Sequence, residues 1–279
     1  MKRQSDRTIL MVLILILTTA VVLCGCGGEG NESPGNGSSP DQKVEINVSA
    51  AASLTDALTE IQTEYEKQTG VGILFNFAAS GALQKQIREG APCDLFLSAS
   101  KEHMDALEAE GLILTDTRMD LLGNALTLII SSEQEENVKS YEDLLKPELT
   151  GIAIGTPESV PAGNYAKQSL QNLKIWDKVE DKLIYAKDVR QVLEYVDTGN
   201  ADCGLVYKSD TLAMKTGIAV MDLPEASHDP IVYPAALIKD SGQAEAASKF
   251  YQFLKTDYAA GIFEKYGFTV LVYEQAQGG

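Results

Sequence analysis

From Val44 onward, the sequence alternates between short apolar segments and longer segments whose apolar residues recur at helical spacing. The first pair shows the pattern: Val44, Ile46 and Val48 alternate as in a strand, and Leu58 and Ile61 then share one face of a helix. A chain that changes from strand to helix and back along its length is typical of α/β proteins. We therefore predict an α/β fold with mainly parallel sheets.

The alternation continues to the end of the chain. The predicted strands are residues 44–50, 73–77, 94–99, 125–130, 151–156, 182–186, 203–207 and 231–237. The predicted helices lie within residues 53–70, 80–90, 101–111, 164–173, 188–200, 244–256 and 258–267. Ser53 and Ser80 are positioned to N-cap the first two helices, and Gly70 and Gly90 to end them.

The charge of the chain limits its partners. It carries 40 acidic and 23 basic residues, for a net charge of -17. Proteins that bind nucleic acids carry a basic surface, so we expect no nucleic-acid partner. A site for an anion would have to work through short-range hydrogen-bond donors. The only two histidines, His103 and His228, leave little room for a histidine-rich metal site.

The N-terminus has the pattern of an export signal. Basic residues precede an apolar run from Ile9 to Leu23, which favours a signal peptide over residues 1–25, although a permanent transmembrane anchor has a similar pattern. Small residues around Cys26 form a lipobox, and Cys26 fits lipidation better than Cys24 because Gly25 directly precedes it. Two acyl chains on one cysteine suffice for stable anchoring. Residues 26–42 are rich in Gly, Ser and Pro and read as a flexible tether.

The other two cysteines, Cys93 and Cys203, lie in apolar segments. An exported protein could join them in a disulfide. Buried free thiols behave as small apolar residues, and we favour two unpaired, buried thiols because we expect the two cysteines to lie in different domains.

Two helix starts carry a serine directly after a predicted strand, Ser53 and Ser80. In open α/β sheets, ligands bind beyond the carboxyl ends of strands, where unpaired helix N–H groups can hold an anion. Taken singly, each serine is most simply a cap. Tyr207 is most simply a core or rim residue, and Arg190 a solvated helix residue.

Catalytic motifs are missing from the sequence. It has no G-x-S-x-G elbow, no H-E-x-x-H and no Walker A. A serine hydrolase would need His103 or His228 beside Ser53 or Ser80, and the spacing gives no support for that. We therefore expect a binding protein rather than an enzyme.

Several segments together resemble the periplasmic molybdate-binding proteins of ABC transporters, in a lipoprotein form. They are SAAASLTDAL, FAASGALQKQI, GAPCDLFLSAS, LLGNALTLI, VPAGNYAKQSL, AKDVRQVLEYV, GLVYKSD and IFEKYGF. They span residues 43–270 in order. The resemblance implies a two-lobed type II periplasmic binding protein fold, with the ligand in a cleft between the lobes. It implies lobe 1 from residues 43–122 plus 232–279 and lobe 2 from residues 123–231, with hinges near Gly123 and Tyr233.

The resemblance also implies the binding residues. Ser53 and Ser80 would donate hydroxyl and backbone N–H groups, Ala162 and Val189 a backbone N–H each, and Tyr207 its phenol O–H. These five would surround the oxyanion without direct metal ligation and without a cofactor. Ala79 departs from the family pattern, where some relatives have Ser, but it is not one of the five.

Three functions remain open at this point. The first is a monomeric receptor, exported and lipid-anchored to the outer face of the cell membrane, that passes molybdate or tungstate to an ABC permease. The second is the same fold with another ligand, such as sulfate or an organic anion. The third is a secreted serine hydrolase.

Overall fold

The computed structural model describes residues 44–272, which belong to one compact unit that begins at Lys43. The predicted signal peptide, Cys26 and the tether lie outside the described residues. In the described range the strands are β1 Glu45–Ala51, β2 Gly72–Ala78, β3 Leu95–Leu97, β4 Met119–Gly123, β5 Leu126–Ile130, β6 Ile152–Gly155, β7 Leu183–Ala186, β8 Cys203–Tyr207, β9 Ile218–Asp222, β10 Val232–Leu237 and β11 Thr269–Val270.

The α-helices of the same range connect these strands and cover the sheets. They are α1 Thr55–Thr69, α2 Ser80–Arg88, α3 Lys101–Ala109, α4 Pro161–Asn172, α5 Trp176–Val179, α6 Val189–Asp197, α7 Ala244–Phe253 and α8 Asp257–Lys265. None of the helices within residues 44–272 is both long and apolar enough to cross a membrane.

The predicted helical faces explain how α1 and α6 pack. Leu58, Ile61 and Tyr65 of α1 are buried, and Gly70 ends the helix in the left-handed conformation, with a φ of 72°. In α6 the apolar side chains lie on one buried face, as predicted, and the Asp188 side chain caps the first turn. The sequence pattern therefore predicts the buried faces of both helices and the end of α1.

The strands form two sheets. The order of the first is β11-β4-β10-β3-β1-β2, and the order of the second is β7-β6-β8-β5-β9. The first sheet with its helices is called lobe 1 below, and the second sheet with its helices lobe 2. The chain passes from lobe 1 to lobe 2 between β4 and β5, and returns between β9 and β10. We propose the lobe boundaries given above on the basis of this division.

The expectation of mainly parallel sheets is wrong. Four strand pairs are parallel, β1 with β2 and β3, and β6 with β7 and β8, whereas the other five pairs are antiparallel. The two crossings explain four of these five, the pairs that β5 and β10 form, and the fifth joins β11 to β4. β5 and β10 each bring the chain in from the other lobe, so they start at the boundary and run away from it, while the strands beside them run towards it.

The two cysteines are free thiols, as the sequence predicts. Cys93 and Cys203 are both buried and unpaired. They belong to different lobes, because Cys93 precedes β3 and Cys203 begins β8. Burial raises the pKa of the Cys203 thiol to about 12, so it stays protonated and inert at neutral pH.

Candidate functional site

One small cavity lies where the carboxyl ends of strands from both lobes meet. Its lining contains all five residues that the resemblance assigns to the ligand: Ser53, Ser80, Ala162, Val189 and Tyr207. The rest of the lining is Ala51, Ala52, Ala78, Ala79, Ala99, Val160 and Pro161. No charged side chain is part of this lining, so the polar groups available there are hydroxyl and backbone groups. Contact of the five residues with a ligand stays a prediction.

Ser53 is not the helix cap that the sequence predicts. It lies inside a single 3-10 turn, Ala52–Leu54, and the N-cap of α1 is Leu54. The extra turn arises between β1 and α1 and shifts the N-cap by one residue, from Ser53 to Leu54. The Ser53 hydroxyl is therefore not used by a helix N–H, and it lies 2.9 Å from the hydroxyl of Tyr233.

The prediction of Ser80 as a cap is also wrong. Ala79 is the N-cap of α2, and Ser80 is the first helical residue. Its Oγ accepts a hydrogen bond of 2.9 Å from the backbone N–H of Ala99, just after β3. Since a backbone N–H can only donate, the Ser80 hydroxyl proton stays available for another acceptor.

In lobe 2, the start of α4 brings backbone N–H groups to the cavity. Pro161 is the first helical residue and has no N–H, so Ala162 supplies the first N–H of a helix whose opening N–H groups lack helical partners. The helix approaches β6 closely. A Cβ on Gly163 would lie 1.9 Å from the Gly155 carbonyl oxygen, so only glycine fits at that position.

The start of α6 is arranged in a similar way. The Asp188 side chain accepts from the Gln191 N–H at 2.9 Å. This cap uses the N–H of Gln191 and not that of Val189, the first helical residue, which lines the cavity. The aligned peptide dipoles of α4 and α6 add a positive potential at their N-termini, which favours an anion.

Tyr207 ends β8 and is only 1% exposed. Its hydroxyl has no hydrogen-bond partner among the described residues. Burial raises the pKa of Tyr207 well above its ordinary value, so the hydroxyl keeps its proton and can act only as a neutral group. A buried, unpaired hydroxyl costs about 1–3 kcal/mol, which a ligand that accepts from it would recover.

Arg190 is not the solvated helix residue that the sequence suggests. Its guanidinium lies 2.8 Å from a carboxylate oxygen of Asp56 in lobe 1 and 2.9 Å from one of Asp210 in lobe 2. The contact with Asp210 is an ion pair whose geometry falls outside that of a hydrogen bond. Asp210 is completely buried, and burial raises its pKa to about 6 despite the opposing effect of Arg190. Arg190 thus links the lobes beside the cavity, with its charge balanced by carboxylates.

A second contact between the lobes involves backbone atoms only. The Gly81 N–H donates to the Ser159 carbonyl oxygen at 3.0 Å, next to Ser80. Together with Arg190, it shows the lobes touching on two sides of the cavity.

Sequence reasoning missed two residues near the site. It named Tyr233 only as part of a hinge, and it gave Asn124 no role, yet the Asn124 amide lies 3.3 Å from the Tyr233 hydroxyl. Their positions in the segments GNAL and VYPA, at the two crossings between lobes, were the available signal.

The arrangement does not suit metal ligation or hydrolysis. No group of three or more His, Cys, Asp or Glu residues that could hold a metal ion occurs in the described part of the chain. Neither His103 nor His228 is part of the cavity lining, so neither serine in that lining has a histidine base in the same cavity.

Comparison with known proteins identifies similar chains. The family model of the bacterial extracellular solute-binding proteins matches residues 46–269. A Bacillus subtilis protein named as an ABC transporter substrate-binding lipoprotein is 47% identical over 230 residues, which covers 82% of this chain and 88% of the relative. The molybdate-binding protein ModA of Escherichia coli is 42% identical over 230 residues, covering 81% of this chain and 89% of the relative.

A solved structure from Clostridium difficile, described as the substrate-binding domain of a molybdenum ABC transporter, is 45% identical with a TM-score of 0.64. The match covers 82% of this chain and all of that chain, 100%. The two-lobed α/β architecture is thus that of periplasmic binding proteins.

Proposed function

This chain belongs to the family of bacterial extracellular solute-binding proteins, and we propose that its solute is molybdate, captured outside the cytoplasm for uptake by an ABC importer. Members of this family bind solutes, so the chain is an exported binding protein and not an enzyme. Relatives that are 42% and 37% identical are named molybdate-binding proteins, which supports molybdate over other solutes.

The observation that carries this proposal is the unpartnered hydroxyl of Tyr207. It is buried in a lining without charged side chains, together with two serine hydroxyls and the first N–H groups of two helices. A tetrahedral dianion has acceptors on all sides and would satisfy such a set of neutral donors. Each hydrogen bond to a charged acceptor contributes about 1.5–3 kcal/mol, so five to seven donors can replace the hydration lost on entry.

The size of an oxyanion and its protonation state would together decide which oxyanion the cavity prefers. Metal–oxygen bonds in molybdate and tungstate are longer than the bonds in sulfate, so a cage of fixed size for the larger ions holds sulfate poorly. Phosphate carries a proton near neutral pH, and a cage of donors offers that proton no acceptor. The unsatisfied O–H group of phosphate costs about 1–3 kcal/mol of binding free energy. We therefore propose that tungstate binds as well, because its size and charge match those of molybdate.

A ligand panel tests this function directly. The full chain, purified in mild detergent because of its apolar N-terminal run, is titrated calorimetrically with molybdate, tungstate, sulfate and phosphate. Tight binding of the first two and weak binding of the others is the expected result. Preferential binding of sulfate would support the alternative ligand class, and no binding of any oxyanion would contradict the proposal.

The five candidate residues are tested through the two serines. The double variant Ser53→Ala, Ser80→Ala removes two hydroxyl donors and should weaken molybdate binding at least about 100-fold. Ser169→Ala is the matched control, because Ser169 is buried and bonds to Ser227 at 2.6 Å, outside the cavity lining. Unchanged affinity in the double variant would show that the ligand binds elsewhere.

We propose further that Cys26 is acylated and tethers a monomeric receptor to the outer face of the membrane, where it docks with its ABC permease. The lipoprotein name of the Bacillus subtilis relative supports this. Cys26→Ser should abolish incorporation of a labelled fatty acid. Cys24→Ser, two residues away, is the control that should still incorporate the label, and equal labelling of both variants would contradict the assignment of Cys26.

A further inference from the structure

We infer that the contact between Gly81 and Ser159 is the stop at which closure of the two lobes ends, and that it sets the smallest size the oxyanion cavity can take. This inference rests on the proposed function, because it concerns how the same cavity selects anions by size. It makes Gly81 a positioning residue, although neither Gly81 nor Ser159 is part of the cavity lining.

Gly81 and Ser159 are chain neighbours of residues that line the cavity from opposite lobes. Gly81 directly follows Ser80 in lobe 1. Ser159 directly precedes residues 160–162 in lobe 2, all three of which line the cavity. The distance between Gly81 and Ser159 therefore determines how closely Ser80 and Ala162 can approach the same ligand.

The contact itself has no adjustable part. The Gly81 N–H belongs to the first turn of α2, where N–H groups lack helical partners, and it donates to the Ser159 carbonyl oxygen at 3.0 Å. Both groups belong to the main chain, so no side-chain rotation can lengthen or shorten this bond. Arg190, in contrast, reaches the Ser53 carbonyl oxygen at 3.3 Å through a long side chain with several rotatable bonds. Of these two contacts, the backbone one can hold the lobes at a fixed separation.

Each partner is held firmly within its own lobe. In lobe 2, the N–H groups of Ser159 and Val160 both donate to the Thr156 carbonyl oxygen, at 3.1 and 2.9 Å. In lobe 1, the Oγ of Ser80, the residue before Gly81, accepts from the Ala99 N–H at 2.9 Å. Two segments braced in this way resist compression when they meet, since packed protein interiors have a low compressibility.

The absence of a side chain at residue 81 allows the close approach. A Cβ on Gly81 would lie 2.7 Å from the carbonyl oxygen and 2.8 Å from the Cα of Ser159. These are backbone atoms that cannot rotate away, whereas the His103 ring carbon at 3.0 Å belongs to a side chain. Gly81 is not among the glycines with a positive φ, so its role is to leave space and not to adopt a special conformation. A larger residue would therefore end closure earlier.

A fixed stop discriminates against anions that are too small. When the lobes close on an anion of matching size, donors from both lobes reach it at hydrogen-bond distance as Gly81 meets Ser159. With a smaller anion, the lobes reach the stop while the donors of one lobe are still too far away. Sulfate would then lack hydrogen bonds that molybdate forms. Widening the cavity further should penalise smaller anions more than larger ones.

The variant Gly81→Ala tests the inference. The full chain in mild detergent is titrated with molybdate at pH 8, with chromate, a tetrahedral dianion of size between sulfate and molybdate, as competitor. The added Cβ overpacks the contact, so molybdate affinity should fall about 10-fold or more. Chromate affinity should fall further, which raises the molybdate-to-chromate ratio. An unchanged or lower ratio would overturn the inference.

Stopped-flow kinetics separate closure from encounter. Because the stop acts only after the anion has entered, the loss of molybdate affinity in Gly81→Ala should appear as faster release with an unchanged association rate. A slower association at an unchanged release rate would place Gly81 in the entry path and contradict a role in closure.

Gly261→Ala is the matched control. Gly261 lies in α8, and a Cβ there would meet no atom within 4 Å. This variant should bind both anions as the wild type does. Both variants replace a helical glycine by alanine, and open lobes relieve the overlap at residue 81, so both ligand-free proteins should be at least as stable as the wild type in chemical denaturation. A destabilised ligand-free Gly81→Ala would contradict a contact made on closure. A wild-type protein that binds no molybdate would instead contradict the proposed function.

Discussion

The two lobes supply hydroxyl groups to the cavity in different states. In lobe 1, the Ser53 hydroxyl lies 2.9 Å from the Tyr233 hydroxyl, and the Ser80 oxygen accepts a hydrogen bond from the Ala99 N–H. In lobe 2, the Tyr207 hydroxyl has no partner among the described residues. The two serine hydroxyls of lobe 1 therefore have partners within the protein before any ligand arrives, whereas the hydroxyl of lobe 2 gains its partner only from the ligand.

This difference separates two tasks within one cavity. Preorganised donors lower the cost of ordering the site, and an unsatisfied donor makes closure around the ligand favourable. We expect the lobe 1 side of the cavity to determine which anion binds. We expect the lobe 2 side to determine how strongly closure of the cavity depends on the bound anion. The predictions below test whether the two halves respond to substitution in these different ways.

The largest change in the free energy of unfolding is expected from Arg190→Met, which tests how much the Arg190–Asp210 ion pair stabilises lobe 2. The substitution leaves the completely buried Asp210 without the positive charge 2.9 Å away. Removing one partner of a buried ion pair costs about 3–5 kcal/mol, because the remaining charge stays desolvated. Chemical denaturation at pH 8 should show a free energy of unfolding lower by about that amount. A loss below about 1 kcal/mol would mean that Asp210 finds other compensation.

The same variant has a predictable pH dependence. The folded-state pKa of Asp210 is about 6, above the 3.8 of an ordinary aspartate. Its contribution to stability is fully present below pH 3.8 and is lost as pH rises through 6. Without Arg190 the folded pKa rises further, so more stability is lost at pH 8, while near pH 5 the carboxyl is largely protonated in both proteins. The destabilisation should shrink from pH 8 to pH 5, and a constant difference would contradict the assignment.

Much of the fold follows from the sequence, because each element carries its own signal. The alternation of apolar residues and the stop at Gly70 predict α1 and its neighbours, and the cap at Asp188 lies where α6 begins. The direction of β5 and β10 does not follow from such local signals. It depends on where the chain crosses between the lobes, and residue patterns within a strand do not encode that.

The candidate site shows the same limit. The resemblance brought together five residues that line one cavity, although Ser53 and Ser80 are not the caps that their positions suggest. Arg190, Asp56 and Asp210 are distant in the sequence, and their contact arises only from packing between lobes. A single charged residue on a helix is usually solvated, so no local pattern predicts its partners.

Tyr207→Phe tests the lobe 2 donor. It removes a hydrogen bond to a charged ligand worth about 1.5–3 kcal/mol, so molybdate should bind about 10- to 150-fold more weakly. The ligand-free protein should not lose stability, because the hydroxyl has no partner in the described residues. Calorimetric titration and thermal unfolding without ligand check both parts. A less stable ligand-free variant would show that Tyr207 is bonded within the protein.

Ser80→Ala tests the lobe 1 donor and should differ in the ligand-free state. The Ala99 N–H loses its acceptor, which costs about 1–3 kcal/mol of stability even without ligand. Molybdate affinity should also fall, by about 10-fold or more, since one donor is lost. Denaturation of the ligand-free protein distinguishes this variant from Tyr207→Phe. If both variants leave it equally stable, the contrast between the two lobes is wrong.

The smallest effect is expected from Asp56→Asn, which breaks the ion pair with Arg190 between the lobes and leaves that of Arg190 with Asp210 in place. The Asp56 side chain is 43% exposed, so solvent screens the pair, and we expect a change of only about 0.2–1 kcal/mol. Because the pair joins the lobes, the loss should fall on the ligand-bound protein, as a faster release of molybdate, rather than on the ligand-free one. Stopped-flow measurements of release at low and high salt check this, since raised salt should remove the difference between wild type and variant. A change confined to ligand-free stability would assign Asp56 to lobe 1 alone, and would leave the contacts of Arg190 with the Ser53 carbonyl oxygen and of Gly81 with Ser159 to link the lobes.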